Sequence, residues 1–170
     1  TRSSPGVRRM AAILNFMAEH PGEAFALTDL VRRFTQEEIA PHINQWDEAG
    51  EFPRELYRKA SEIGLLRLGW PEEYGGVATD PFMSIITSQE MARHGAGGVN
   101  ASLMSHGIGL PPILAMGSEE MKRRIAPEVL SGDKIISLAI TEPSGGSDVA
   151  QLKTKAVLRT RRWESFIETP

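Results

Sequence analysis

Residues 135–148 carry the sequence IISLAITEPSGGSD, in which a short apolar run gives way abruptly to a turn. Apolar side chains alternate at Ile136, Leu138 and Ile140, and the residues between them are also largely apolar. This pattern predicts a β-strand that is covered on both faces. The turn that follows, residues 142–148, is rich in glycine and serine. Because glycines let the backbone present its amides, the segment can offer hydrogen-bond donors and hydroxyls to a ligand.

The composition is that of an ordinary globular protein. Of the 170 residues, 41% are hydrophobic and 24% are charged, and the length suffices for one domain with part of a second. The formal net charge of −3 gives no electrostatic reason to expect nucleic acid or a membrane as a partner. The absence of cysteine excludes disulfides, thiol nucleophiles and zinc–thiolate sites. No apolar run is long enough to span a membrane, and the N-terminus lacks the apolar core of a secretory signal, so we expect a cytoplasmic protein.

Changes in hydrophobic periodicity divide the chain into four segments and predict a mainly α fold. Residues 1–33 form a helical extension, and residues 34–134 have helical spacing nearly throughout. A change of period at residues 135–157 predicts strands, the second of them over Val149–Val157. Residues 158–170 show no clear period.

Capping residues and prolines mark the boundaries of the predicted helices. Asp80 precedes Pro81 as a cap, because its side chain can accept hydrogen bonds from first-turn amides. Ser118-Glu119-Glu120 opens a further helix, with acids in its first turn that favour the helix dipole. Thr28 can cap a helix in the same way, after the Pro-Gly pair at residues 21–22 has ended the helix before it. Pro41 is expected to end or kink the helix in which it lies.

The polar turn at residues 141–148 has the groups that a flavin requires. A flavin needs hydrogen-bond donors along its pyrimidine edge and a place for its pyrophosphate. Thr141 supplies a hydroxyl and an amide, and Ser147 adds a second hydroxyl. Gly145 and Gly146 can turn amides towards an anion. Composition alone, however, favours an ordinary Pro-Ser-Gly-Gly hairpin turn with an aspartate cap, because glycine-rich turns are common.

Several motifs resemble, in order and spacing, those of the acyl-CoA dehydrogenase family. The turn TEPSGGSD at residues 141–148, with KTKA at 153–156, is similar to the family's flavin-binding segment. WPEEYGG at residues 70–76 resembles a loop early in its helical domain. Between them lie GSEEMK at residues 117–122 and LSG at 130–132. The resemblance extends from Arg33 to Val157 and identifies the chain as a member of this lineage.

The resemblance implies a fold, a cofactor and a reaction. The family carries FAD between an N-terminal helical domain, a middle β-domain and a C-terminal helical domain. By resemblance, residues 34–134 are the first of these, and residues 135–157 are the first strands of an incomplete, flavin-binding β-domain. The family's reaction is the α,β-dehydrogenation of an acyl-CoA thioester to the 2-enoyl-CoA. A carboxylate base removes the α-proton while the β-hydride moves to the flavin.

Site residues follow from the same resemblance. The positions that match flavin contacts are Leu138, Ile140, Thr141, Gly146 and Ser147. Ser147 also matches a position that contacts the acyl-CoA. Glu142 is not assigned as the base, because the family's base comes from the C-terminal domain. The catalytic residue is therefore unknown, and the chain alone is expected to be inactive.

The resemblance also implies partners, and it leaves some chemistry open. Electron-transfer flavoprotein is the implied electron acceptor, and the complete enzyme is expected to be a homo-oligomer. An acyl-CoA oxidase or a monooxygenase on the same scaffold stays open, and so does the length of the acyl chain.

The two ends of the chain depart from this pattern. Residues 5–33 are more similar to the first two helices of an IclR-type winged helix-turn-helix regulator. The helix that would read DNA is missing, however, since residues 34–41 fit the dehydrogenase pattern. A DNA-binding regulator fragment and a non-catalytic helical interaction domain therefore remain as alternatives. Residues 158–170 do not match the family, and a reading-frame change or fusion junction near Val157 would explain them.

The other notable residues are interpreted as structural. Gly95–Gly109 is rich in small residues and predicts a helix packed closely against its neighbours, without the preceding strand of a dinucleotide-binding loop. Trp70 and Tyr74 are expected to anchor a loop over the helical core. The methionines predicted to fill the core are Met83, Met91, Met104 and Met116. The histidines predicted at the surface or at helix ends, without ligand spacing, are His20, His42, His94 and His106.

Overall fold

The computed structural model of the chain describes residues 21–159 and 162–167. They form two compact units, the first ending at Ser137 and the second beginning at Leu138. His20 and the helix predicted ahead of Pro21 lie outside the described residues.

The first unit consists of helices joined by short turns, which confirms the mainly α fold. Its α-helices are α1 (Pro21–Phe34), α2 (Ile43–Ala49), α3 (Glu55–Glu62), α4 (Pro81–Ala92), α5 (Gly97–Leu103), α6 (His106–Met116) and α7 (Glu119–Leu130). A π-helical turn at Thr35–Ile39 and 3-10 turns at Ala40–His42, Leu65–Arg67 and Glu72–Tyr74 lie between them. None of the helices in the described ranges has the length and apolarity that crossing a membrane requires.

The cap predicted at Asp80 is confirmed, and Ser118 also caps its helix. Asp80 Oδ1 accepts hydrogen bonds from the amides of Phe82 at 2.7 Å and Met83 at 3.0 Å. Ser118 Oγ accepts one from the amide of Met121 at 3.2 Å. These bonds satisfy first-turn amides that have no partner within the helix, so α4 and α7 begin where the sequence predicts.

The prediction for the start of the described chain was wrong. Pro21 and Gly22, predicted to end a helix, lie in α1, and Thr28 lies inside α1 rather than at a cap. Proline is well suited to a first helical turn, because the N–H that it lacks would have no partner there. The helix continues to Phe34.

Pro41 interrupts the helical path, as predicted. The chain passes from the π-helical turn into the 3-10 turn that contains Pro41, and α2 begins only at Ile43. Because proline has no N–H to donate, the α-helical hydrogen bonds cannot run through this position.

The single helix predicted over Gly95–Gly109 is divided into two. Met104 and Ser105 separate α5 from α6. Close packing does not explain the glycines at the start of α5, because a Cβ added at Gly97 or Gly98 would meet nothing within 4 Å. At Gly109, by contrast, an added Cβ would lie 2.8 Å from Cγ1 of Ile136.

Two hydrophobic clusters form the core of the helical unit. The first includes the fully buried Ala60 of α3 and Leu103 of α5. The second includes Leu110 of α6 and Ala126 of α7, with the loop residue Tyr74. The core residues therefore come from helices that are distant in sequence, which is what makes residues 21–137 one unit.

The loop at residues 70–76 anchors on this core, as predicted. The Tyr74 ring is buried, and its hydroxyl donates to Glu119 Oε2 at 3.1 Å, at the start of α7. A Cβ added at Gly76 would lie 2.2 Å from the carbonyl oxygen of Trp70, so glycine is required for the loop to close. The motif WPEEYGG is thus explained by packing and close backbone approach.

The predictions for individual core and surface residues were partly wrong. Met91 is buried as expected, but Met116 is 88% exposed at the last position of α6. His106, predicted at the surface or at a helix end, is the first residue of α6 and is buried beside Trp70, with their ring centroids 5.7 Å apart. Burial lowers the pKa of His106 below its ordinary value. The apolar surroundings of α6 explain this position, because the imidazole is most stable there in its neutral form.

A buried carboxylate connects α1 to α4. Glu90 is 3% exposed and accepts hydrogen bonds from Nε and Nη2 of Arg32 at 3.0 and 3.1 Å. Nε of Arg93 lies 2.6 Å from the same carboxylate. The bond to Arg32 is the largest cause that lowers the pKa of Glu90 below its ordinary value of 4.5. The fork of Arg32 meets both carboxylate oxygens, which fixes the orientation of the two helices as well as their contact.

The second unit contains a β-hairpin. After a 3-10 turn at Val149–Gln151, β1 (Thr154–Arg159) pairs antiparallel with β2 (Arg162–Ile167). Thr154 lies opposite Ile167 in this register. The strand predicted over Val149–Val157 therefore starts only at Thr154, and the segment without a clear period contains β2.

The strand predicted over residues 135–140 was wrong. No strand is formed there within the described residues, and the side chains of Ile135 and Leu138 are each 46% exposed. A strand exists only where another strand satisfies its backbone groups. The apolar pattern is present in the sequence, but the described chain supplies no partner strand for it.

Replacing Glu90 by glutamine tests the connection between α1 and α4. We expect Glu90→Gln to lower the free energy of unfolding by about 2 kcal/mol, because a neutral amide keeps the shape but cannot pair both guanidinium groups. The side chains of Arg32 and Arg93 are 37% and 55% exposed, so both can return to water. Urea unfolding followed by circular dichroism gives the midpoint, with the exposed Glu120→Gln as the control. Equal midpoints for the two variants would contradict this role.

Candidate functional site

The polar turn at residues 141–148 closes on itself through its backbone. The amide of Glu142 donates to the carbonyl of Gly145 at 2.9 Å, and the amide of Gly145 donates back to Glu142 at 3.1 Å. This pair of bonds makes a tight turn with Pro143 and Ser144 at its corner. The sequence therefore specifies a closed turn, as both the flavin-site and the hairpin-turn interpretations require.

Closure of the turn brings together two of the residues predicted to contact a flavin. A Cβ added at Gly146 would lie 3.6 Å from Cγ2 and 3.8 Å from Oγ1 of Thr141, so the threonine side chain lies against the glycine. Glycine at this position leaves the Thr141 hydroxyl uncovered on that side. Ser147 follows directly and is exposed. Leu138 and Ile140 lie on the segment that leads into the turn, 46% and 36% exposed.

Glu142 is the buried acid of this turn. It is 7% exposed, and its Oε2 accepts a hydrogen bond from the amide of Lys153 at 2.8 Å. Its Oε1 accepts from the amide of Thr154 at 2.8 Å and also from the Thr154 hydroxyl. The hydroxyl of Thr154 is the largest cause that lowers the pKa of Glu142 below its ordinary value of 4.5, followed by the Lys153 amide. The carboxylate is therefore charged, enclosed and fully engaged within the second unit.

The contacts of Glu142 were missed from the sequence. The sequence places Glu142 in the first motif and Lys153 eleven residues later in the second. The spacing between two motifs does not show which of their atoms are in contact. What could be inferred was only that Glu142 is not the base. A buried carboxylate with a lowered pKa is a poor proton acceptor, which agrees with that inference.

The exposed donors of the turn suit a flavin. The hydroxyls and amides of Thr141 and Ser147 have no hydrogen-bond partner among the described residues, and both residues are exposed. Uncommitted amides and hydroxyls next to glycine are the donors that the oxygen and nitrogen acceptors of a flavin ring or its phosphates require. The residues present therefore fit FAD.

The helical unit contains a separate cavity of about 490 Å³. One wall is aromatic, with Trp46, Phe52 and Tyr57, and another is the glycine-rich segment 95–98. The Tyr57 hydroxyl donates to the carbonyl oxygen of Ser102 at 3.0 Å. The described residues contain no group of three histidines or acids that could hold a metal ion. The cavity is mainly apolar, with Asp47, Glu51 and Arg54 also among its lining residues.

Comparisons with known proteins identify the family. The family model described as acyl-CoA dehydrogenase, N-terminal domain, matches residues 21–133. The mitochondrial long-chain specific acyl-CoA dehydrogenase of Sus scrofa is 37% identical over 151 residues, which are 89% of this chain and 33% of that protein.

Solved structures give the same result. A putative acyl-CoA dehydrogenase from Mycobacterium smegmatis has a TM-score of 0.77 at 45% identity, over 82% of this chain and 37% of that one. An acyl-CoA dehydrogenase from Bacillus anthracis, solved in complex with FAD, has a TM-score of 0.71 at 29% identity, over 84% of this chain and 25% of that one. The chain thus spans about a third of the length of the curated relatives it matches.

The regulator-like interpretation of residues 5–33 finds no support. The family match already includes residues 21–33, and these residues lie within one continuous helix, α1. Within the described part of this region, the second helix predicted to start at Thr28 is not a separate helix, because Thr28 lies inside α1.

The pH dependence of the turn tests the state of Glu142. The pKa of Glu142 in the folded chain lies below its ordinary value of 4.5, so the charged carboxylate stabilises the turn fully at pH values above 4.5. We expect this stabilisation to be lost as the pH falls through the lower, folded value. A titration that follows the carboxyl carbon of Glu142 and the amide of Thr154 by NMR measures it. A carboxyl that titrates at or above 4.5 would show that the hydrogen bonds do not hold the charged form.

Proposed function

The chain belongs to the acyl-CoA dehydrogenase family, and we propose that it supplies the N-terminal helical domain and part of the flavin site of an FAD-dependent enzyme. The reaction is the α,β-dehydrogenation of an acyl-CoA thioester to the 2-enoyl-CoA. The observation that carries the proposal is the closed turn at residues 141–148. It exposes the unpaired donors of Thr141, whose side chain lies against Gly146, and those of Ser147, which follows Gly146 in the sequence.

Each residue of the turn has a defined task in this proposal. Thr141 and Ser147 donate hydrogen bonds to the flavin, and Gly146 permits close approach of its backbone. Leu138 and Ile140 provide apolar contact for the ring. Bound FAD supplies the acceptor for the β-hydride of the substrate.

Substrate recognition and proton removal have different sources. Ser147 is proposed to contact the acyl-CoA as well as the flavin. The base that removes the α-proton is proposed to come from the family's C-terminal domain, since Glu142 already accepts three hydrogen bonds and is buried. Electron-transfer flavoprotein is the proposed electron acceptor, and a homo-oligomer is the proposed form of the complete enzyme.

The surface of α6 supports the view that more protein surrounds this domain in the complete enzyme. The helix reads HGIGLPPILAM and contains no acidic, lysine or arginine side chain. Ile108 and Met116 are 63% and 88% exposed on it. A helix that is apolar all round is normally buried, and exposed apolar surface of this kind marks a contact with further protein or with a ligand.

The same surface of α6 would suit a non-catalytic interaction domain, which is the second candidate function. The two candidates differ in one property that the chain itself can show. A flavoenzyme domain uses the donors of the turn for FAD, and an interaction domain has no need of them. The DNA-binding alternative is not favoured, because the family match already includes residues 21–33.

Titration with FAD tests the proposal. We expect the purified chain to bind FAD saturably, with changes in the visible flavin spectrum and in flavin fluorescence. Thr141→Ala and Ser147→Ala should each weaken binding by about tenfold, the effect of one lost hydrogen bond to the ligand.

The control is Ser144→Ala, in the same turn but outside the predicted flavin contacts, and it should leave the affinity unchanged. Circular dichroism establishes that each sample is folded and helical. A folded chain that does not bind FAD, or equal affinities for all four proteins, would refute the role proposed for the turn.

A further inference from the structure

We propose that Glu142 and Thr154 form a latch that holds Thr141, Gly146 and Ser147 in position for the flavin. The latch is defined by the bonds from the Thr154 hydroxyl and amide to the Glu142 carboxylate. It makes the affinity of the turn for FAD depend on Thr154, which is not itself among the flavin contacts. The inference rests on the proposed function and adds a pair of positioning residues to it.

The first step is that Glu142 is held at both ends. Its backbone forms the two bonds with Gly145 that close the turn, at 2.9 and 3.1 Å. Its side chain reaches the start of β1, where the amides of Lys153 and Thr154 donate to separate oxygens, each at 2.8 Å. The residue that closes the turn is therefore also the residue that attaches it to the hairpin.

The second step is that the chemistry of the latch requires a carboxylate. Both oxygens of Glu142 face donors, and three donors share them. Glutamine has the same shape but offers one acceptor oxygen, so its NH₂ group would have to face an N–H donor. Aspartate is one methylene shorter and would withdraw both oxygens from β1.

The third step concerns Thr154, which contributes two of the three donors. It is the first residue of β1 and lies opposite Ile167 in the hairpin. The hydroxyl therefore comes from a residue whose backbone β2 already holds. Valine in its place would keep the branched shape without the hydroxyl, and serine would keep the hydroxyl without the methyl group.

The fourth step connects the latch to ligand affinity. Thr141 is the residue directly before Glu142, and its side chain lies against Gly146 across the closed turn. Release of Glu142 would let both ends of the turn sample other conformations. A ligand that needs one conformation binds more weakly in proportion to the fraction of molecules that adopt it. A turn that is ordered before binding avoids this loss.

The test measures FAD affinity in Glu142→Gln, Thr154→Val and Thr154→Ser, with the exposed Glu51→Gln as a control for loss of one negative charge. We expect Glu142→Gln and Thr154→Val each to weaken FAD binding by about tenfold, with an altered visible spectrum of the bound flavin at saturation. Thr154→Ser and Glu51→Gln should bind within about twofold of the unchanged chain. The double variant Glu142→Gln/Thr154→Val should bind no more weakly than Glu142→Gln alone, because both changes break the same contact.

A second measurement needs no FAD. The backbone amides of Thr141, Gly146 and Ser147 are followed by NMR in the same variants. We expect their chemical shifts to move in Glu142→Gln and Thr154→Val, although none of these three residues is altered, and to stay in place in Glu51→Gln. Hydrogen exchange at the amides of Lys153 and Thr154 should quicken in Glu142→Gln, because those amides lose their acceptor.

The two measurements separate this inference from the proposed function. If the unchanged chain binds no FAD, the proposed function fails for this chain, and the amide shifts alone decide the latch. Unmoved turn amides in Glu142→Gln and Thr154→Val would overturn the latch. Wild-type FAD affinity with an unaltered flavin spectrum in both variants would overturn its positioning role, whatever the change in overall stability.

Discussion

A carboxylate that leaves water needs donors from the protein, and this requirement fixes the chain at one place in each unit. In the helical unit, Glu90 draws Arg32 and Arg93 onto one buried site and so sets α1 against α4. In the second unit, Glu142 takes its donors from the start of β1. Apolar contacts are tolerant of small rotations and shifts, whereas these bonds are directional. The hydrogen bonds of the two carboxylates therefore determine which face of each helix is packed and which conformation the turn adopts. The remaining contacts then stabilise that arrangement.

The features that could be predicted from the sequence are those decided within a few residues. Asp80 and Ser118 cap α4 and α7 through amides two or three residues away. Pro21 was misinterpreted because proline is equally suited to follow a helix and to begin one, and only the residues after it distinguish the two. The strand expected over residues 135–140 failed for the opposite reason. Its pattern is local, but a strand depends on a distant partner that local pattern cannot supply.

The candidate site shows the same division. Thr141, Gly146 and Ser147 followed from the motif, and the structure places Thr141 against Gly146. The hydrogen bonds of Glu142 could not be predicted, because their donors lie 11 and 12 residues away and hydrophobic periodicity carries no information about them. Glu90 and Arg32, which are 58 residues apart, were missed for the same reason. Charged pairs that are buried on folding leave no periodic trace in the sequence.

The turn at residues 141–148 and the surface of α6 therefore differ in how much of the chain determines them. Every hydrogen bond described for the turn lies within residues 142–154, so its conformation is determined by a segment that this chain contains. The apolar surface of α6 has no such local solution, because no rotation of that helix places a polar face outward. The turn is accordingly fixed by bonds within the described residues, although the chain spans about a third of the length of its relatives. The apolar side chains of Ile108 and Met116 on α6 stay exposed, since none of the described residues covers them.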